Sequence, residues 1–260
     1  MRIEVITGGI SITLDALLPE KWRKHKVENA RCMWLLHDKF DASGDWISFT
    51  QAEIFAQEHD LALLCPSVNS ARYNNWRNGC SWQTFLTEEL WEYVHDMLPI
   101  SRDPDDNALF GYGRGGFGAL KFALTSPERF GAAYAVSYDD SFVTGYINGS
   151  LGSSGKFNSG YPPPEEVAVS QENILWLARQ FIQNGKPRPP IYLACAKEDK
   201  TYPRNVEIRD TLLALGYDVI WEEQNKTGGW RFCNEQLEKA MCLFDKTVPS
   251  DHSYAVRRTV

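Results

Sequence analysis

The chain has 260 residues, with 27 lysines and arginines against 34 aspartates and glutamates, a formal charge of −7 at neutral pH. That balance excludes a general affinity for nucleic acid or anionic membrane, although a local basic site would survive it. Hydrophobic residues make up 43% and aromatics 13%; this is enough for a large core, so intrinsic disorder is excluded and one α/β domain over residues 1–260 is expected.

No apolar run approaches the roughly 20 residues of a membrane span. Glu4 stands where a secretory leader would need apolar residues, so a cytoplasmic location is expected. The cysteines at 32, 65, 80, 195, 233 and 242 form no Cys-x-x-Cys pair, and Cys32, Cys65 and Cys195 fall in apolar runs. Buried free thiols in a reducing compartment are the expectation.

Strand-like and helix-like segments alternate, which predicts a mostly parallel sheet with helices on both faces. Residues 3–6 and 11–14 read as an opening strand pair. Residues 31–37 are a continuous apolar run, as in a strand buried on both faces. A helix over 51–59 leads to a strand over 61–65, stopped by Pro66. Helical spacing of Phe85, Leu86, Leu90, Val94 and Met97 predicts a helix over 82–97. A short strand over 108–111 runs into a glycine-rich turn and a helix over 116–124, followed by a strand over 132–136. Residues 143–164, rich in Gly, Ser and Pro, have no clear period and read as a lid-like excursion. The alternation resumes with a helix over 173–183, a strand over 191–195, a helix over 204–215 closed by Gly216, a strand over 217–222 and a helix over 232–244. From about residue 248 the sequence reads as a polar, frayed tail.

The chemistry concentrates at Phe110-Gly111-Tyr112-Gly113-Arg114-Gly115-Gly116-Phe117-Gly118-Ala119-Leu120-Lys121. Strand, glycine-crowded turn, then helix is the setting of a Gly-x-Ser-x-Gly nucleophile elbow. Here the nucleophile position holds Gly113, which has no side chain to form a covalent intermediate. Together with Ser126-Pro-Glu-Arg-Phe-Gly-Ala-Ala133, this stretch resembles the esterase D, S-formylglutathione hydrolase and tributyrin esterase group of α/β-hydrolases. Leu35-Leu36-His37-Asp38 is similar to the family's Leu-Leu-His-Gly, which carries an oxyanion-hole turn. Residues 84–90 and 99–101 match the helix and loop before the elbow, and Ala194 to Asp199 matches the strand end bearing the triad acid. The similarity runs over about residues 1–245.

The resemblance implies an α/β-hydrolase fold, with Asp199 as the remnant acid and Gly113 at the nucleophile position. It also implies what is missing. The histidine loop, Gly-Gly-His-Asp in the family, reads Gly228-Gly229-Trp230-Arg231, and the oxyanion-turn glycine is Asp38. An acid without its base has nothing to orient. The leading reading is therefore a non-catalytic family member binding a small or anionic ligand. A carboxylesterase with a rewired site and an oligomeric scaffold are the alternatives, since members of this family often self-associate.

Arg114, at the start of the central helix, would attract an anion, or would be solvated or paired with Asp38 or Asp199. His37 is the histidine nearest the expected site, whereas His25, His59, His95 and His252 lie elsewhere in the pattern. Cys80 and Ser137 are the candidate substitute nucleophiles. Trp76, Trp82 and Trp230 would line an aromatic pocket or fill vacated space, whereas Trp34, Trp91, Trp176 and Trp221 read as core. No metal-ligand cluster or phosphate loop is evident. Gly111, Gly113 and Gly116 fit a dinucleotide string but lack its acid, so no cofactor is expected.

Overall fold

The structure, a computed structural model, describes residues 1–7, 9–25, 27–68, 73–75, 80–150, 162–183, 185, 188–225 and 228–245. Trp76 and the tail from residue 248 lie outside that set, as does most of the glycine-rich excursion, residues 151–161.

Eight strands form one sheet in the order β1-β2-β4-β3-β5-β6-β7-β8. They are β1 (Arg2–Thr7), β2 (Ile10–Leu17), β3 (Cys32–Leu36), β4 (Ala62–Pro66), β5 (Asn107–Tyr112), β6 (Ala132–Val136), β7 (Ile191–Ala196) and β8 (Val219–Gln224). β2 runs antiparallel to β1 and β4, while β4, β3, β5, β6, β7 and β8 pair in parallel. This is the α/β architecture that the alternation predicts.

Every residue of β3, β4, β6 and β7 is buried, because helices cover both faces of a parallel sheet. Alternate side chains serve two cores. Cys32, Trp34 and Leu36 join the layer containing Phe117, Leu120 and Phe122 of α6 (Arg114–Thr125). Met33 and Leu35 join the layer under Phe55 of α3 (Ala52–Glu58) and Leu237 and Met241 of α11 (Trp230–Phe244).

The helix predicted over 82–97 begins as α4 (Trp82–Thr84), passes through a π turn at Phe85–Glu89 and continues as α5 (Leu90–Met97). α9 (Ile174–Gln183) and α10 (Tyr202–Ala214) lie close to their predicted spans. Two short helices escaped the periodicity, α1 (Glu20–His25) and α2 (Asp45–Phe49), each under two turns and too short to show a stripe.

The excursion needs a correction at both ends. It opens inside α7 (Ser141–Ile147), whose Phe142 and Val143 are buried, and closes on α8 (Pro164–Ala168). The Asp139 carboxylate accepts the Ser141 amide at the start of α7, and the Tyr146 hydroxyl donates to the Pro162 carbonyl. Tertiary anchoring thus supports helix where composition predicts irregular chain. No helix among the described residues is long and apolar enough to cross a membrane.

The cysteines are free, with Cys32, Cys65, Cys195 and Cys233 buried. Trp34 and Trp91 are core, as are Trp22 and Trp46. Trp176 and Trp221 only border it: Trp221 stands on the edge strand β8, near Tyr202 and under Arg209, where one flank has no neighbouring strand to cover it.

Candidate functional site

β5 delivers the chain into α6 through Gly113, whose φ of 58° and ψ of −117° form a sharp left-handed corner. Its amide donates to Val136 O of β6 at 2.9 Å, and its carbonyl accepts from Asp139 N at 3.0 Å, so the corner is clamped from the neighbouring strand end. Close approach requires glycine again at 115, where a Cβ would lie 1.8 Å from the Leu36 carbonyl oxygen. The elbow is therefore built as the sequence pattern predicts.

The space beside the elbow is filled. A Cβ at Gly113 would lie 2.2 Å from Asp38 Cγ and 2.4 and 2.6 Å from its two carboxylate oxygens. Asp38, in the turn after β3, accepts on Oδ1, at 2.8 Å, the amide of Arg114, the residue following the elbow glycine. Burial pushes the Asp38 carboxyl up, opposed by the nearby Arg114 and Lys39 amides and by the Arg114 charge, while Asp139 adds to the rise. Asp41 is pushed up to about 6 by burial and then by Asp38 and Asp45. An acidic group thus stands where a nucleophile and a developing oxyanion would need to be.

His37 lies behind this turn and is 1% exposed. Its Nδ1 is 2.7 Å from Asp38 O, and its Nε2 accepts the Val68 amide at 2.8 Å. Both nitrogens are engaged with main chain, and burial pushes the imidazole pKa down, so a neutral ring braces the turn. Tyr73 completes the brace by donating to His37 O at 2.8 Å.

Arg114 is not solvated. Its side chain is buried, with the guanidinium carbon 4.7 Å from the Phe142 ring centroid; it is the Arg114 main-chain amide, rather than its guanidinium, that bonds Asp38. Arg231 points away from the site, 90% exposed and 3.8 Å from Glu235.

Asp199 stands at the turn after β7, where its Oδ1 accepts both the amide and the hydroxyl of Thr201 at 2.9 Å. Gly228 faces its other oxygen, and a Cβ added there would lie 2.8 Å from Oδ2. Ser137 is nearby, buried in a left-handed backbone (φ 47°). Cys80 is exposed, and none of its described contacts brings it to the elbow.

Trp230 opens α11 and packs on Trp46, Tyr112 and Phe49, with ring centroids 5.1 to 5.5 Å apart. It buttresses the residue before the elbow. Trp82 is 7% exposed and borders a separate cavity of about 410 Å³ with Val68, Phe40 and Thr13.

A cavity of about 480 Å³ that no sequence motif marks is walled by Tyr138, Ser141, Thr144, Lys200, Thr201 and Arg204. Arg204 binds the buried Asp140 at 2.7 Å and Glu207 at 2.8 Å, and the Tyr138 hydroxyl donates to Asp140 at 2.9 Å. The cavity adjoins the elbow through Asp139 and the acid through Thr201. Asp140 and Arg204 lie 64 residues apart, and no local pattern links them.

A sequence profile described as "Putative esterase" matches residues 11–231. The chain belongs to the esterase family. It is 23% identical to the acetyl esterase of Caldicellulosiruptor saccharolyticus over 242 residues, 88% of this chain and 90% of that one. It is 24% identical to the S-formylglutathione hydrolase of Bos taurus, over 67% of this chain and 74% of that one. Its fold matches the Staphylococcus aureus fluorophosphonate-binding serine hydrolase FphF with a TM-score of 0.83, covering 94% and 97% of the two chains at 23% identity. Within this esterase-family frame, the eight-stranded sheet carries Gly113 at the carboxyl end of β5 and Asp199 in the turn after β7.

Proposed function

We propose that this esterase-family protein does not hydrolyse esters through an acyl-serine intermediate, and that it uses the fold to bind a small polar ligand beside the elbow. The observation that carries this reading is the Asp38 carboxylate, held by the Arg114 amide and against Gly113. An ester carbonyl would have to displace a tethered anion from that donor, and the nucleophile position itself, Gly113, carries no hydroxyl or thiol. A side chain at 228 would also collide with Asp199.

The ligand's place is the cavity between α7 and the start of α10. Its Asp140, Arg204 and Glu207 charges are mutually paired, which leaves the Ser141 hydroxyl and the Lys200 ammonium to meet a hydrogen-bonding molecule, while the Thr144 and Thr201 hydroxyls, which already donate to the Asp140 carbonyl and to Asp199, can still accept from it.

The test is twofold. Purified protein is assayed with short-chain p-nitrophenyl esters and a fluorophosphonate probe, and no turnover and no labelling are expected. Turnover abolished by the probe would overturn the reading. A panel of small polar metabolites is then screened by thermal shift; a binder stabilises by about 2.7 kcal/mol at a hundredfold excess over its Kd, and Thr144→Val with Lys200→Ala should remove that gain. A gain that survives both substitutions would refute the cavity assignment.

A further inference from the structure

A second cluster of chemistry-bearing side chains lies at the amino ends of the strands, the opposite end from Gly113. Cys242, in the last turn of α11, has its Sγ 3.7 Å from His59 Nε2. His59 follows α3, and its Nδ1 is 3.1 Å from Asp245 Oδ2. Asp245 is held from its other side by Arg31, 3.4 Å away, and Arg31 is anchored in turn by donating to the Phe244 carbonyl.

The proton positions follow from donor chemistry. An ionised carboxylate can only accept, so the neutral imidazole carries its proton on Nδ1, leaving Nε2 as an acceptor facing the thiol. Thiol, base and orienting acid therefore stand in the order that nucleophilic chemistry requires. Access matches: Cys242 is partly exposed, whereas Cys32, Cys65, Cys195 and Cys233 are buried and Cys80 stands exposed elsewhere.

The geometry points to Cys242 as a modification site, a thiol that His59 deprotonates as it attacks a low-molecular-weight disulfide. In that step a bond forms between Cys242 Sγ and one sulfur of the disulfide as the old S–S bond breaks. The departing thiolate then takes the proton from the His59 imidazolium. The disulfide is the oxidant, and no other co-reactant is required. Burial, then Glu238, Asp245 and Glu58, push the Cys242 pKa up. The resting thiol is therefore neutral, and reaction depends on a base acting during attack rather than on a standing thiolate.

The probe is glutathione disulfide, applied to the full chain carrying Cys80→Ser, with adduct formation at neutral pH followed by intact mass and peptide mapping. His59→Asn keeps a donor to Asp245 but lacks the base, and it should slow the reaction by about tenfold or more. Cys242→Ser should abolish the adduct. An equal rate in His59→Asn overturns the proposal, as does an adduct on another cysteine. If His59→Asn fails to fold, the His59-containing protein still decides: its Cys242 should react faster folded than after unfolding in urea, and an equal or slower folded rate overturns the proposal.

Discussion

Gly113→Ala tests the site most sharply, because two separable costs meet in one methyl group. The backbone at φ 58° and ψ −117° is sparsely populated by residues with a Cβ, and such strain costs about 1–3 kcal/mol. The new Cβ would also sit 2.2 Å from Asp38 Cγ, so the carboxylate must move off the Arg114 amide it holds at 2.8 Å. Losing a hydrogen bond to a charged group adds about 1.5–3 kcal/mol. The single variant should therefore lose about 2.5–6 kcal/mol, the sum of those two ranges. In an Asp38→Ala background the collision is gone, and Gly113→Ala should cost only the backbone strain. Urea unfolding of the four proteins, fitted with a common slope, measures the coupling directly. Equal costs for Gly113→Ala in both backgrounds would refute the claim that Asp38 fills the nucleophile's space.

Three further outcomes follow from the same contacts. Gly113→Ser combined with Gly228→His should remain inactive toward p-nitrophenyl esters, because Asp38 still occupies the Arg114 amide and a Cβ at 228 meets Asp199 at 2.8 Å; measurable turnover in that double variant would contradict this. Asp41 is pushed up to about 6 by burial and neighbouring carboxylates, above its unfolded value of about 3.9. Its contribution to stability is therefore full below that unfolded value and is lost as pH rises through 6. Wild type should lose stability relative to Asp41→Asn between those limits, and parallel pH curves for the two would exclude the effect. Finally, Lys121 is fully buried on α6 and paired with Glu172 at 2.6 Å, with burial pushing its pKa down against that partner. Glu172→Gln should cost about 3–5 kcal/mol in chemical unfolding, as removal of one partner leaves a buried charge uncompensated; a loss under 1 kcal/mol would show that the ammonium finds another acceptor or gives up its proton.

The sequence by itself determined the sheet's strands and the glycine-rich turn between β5 and α6, because each of these is local. A strand buried on both faces must be continuously apolar, as residues 32–36 are. A helix passing within van der Waals contact of a strand demands glycine, as at 115, where a Cβ would meet the Leu36 carbonyl.

What only the tertiary structure decided is how separate loops share one space. Asp38 and Gly113 are 75 positions apart, and nothing near either shows that a carboxylate from one turn rests on an amide of the other. Its place at the start of the central helix made Arg114 a candidate anion ligand, yet its guanidinium packs over the Phe142 ring. Trp230 replaced the expected histidine in the string, but packing on Tyr112 and Trp46 set its role. The histidine that does meet a nucleophile and an acid, His59, reads in the sequence as an ordinary helix-end residue, 183 positions from Cys242. Hydrogen bonds and close packing act over a few ångströms of space whatever the separation along the chain, so pairings of this kind become visible only once the chain has folded.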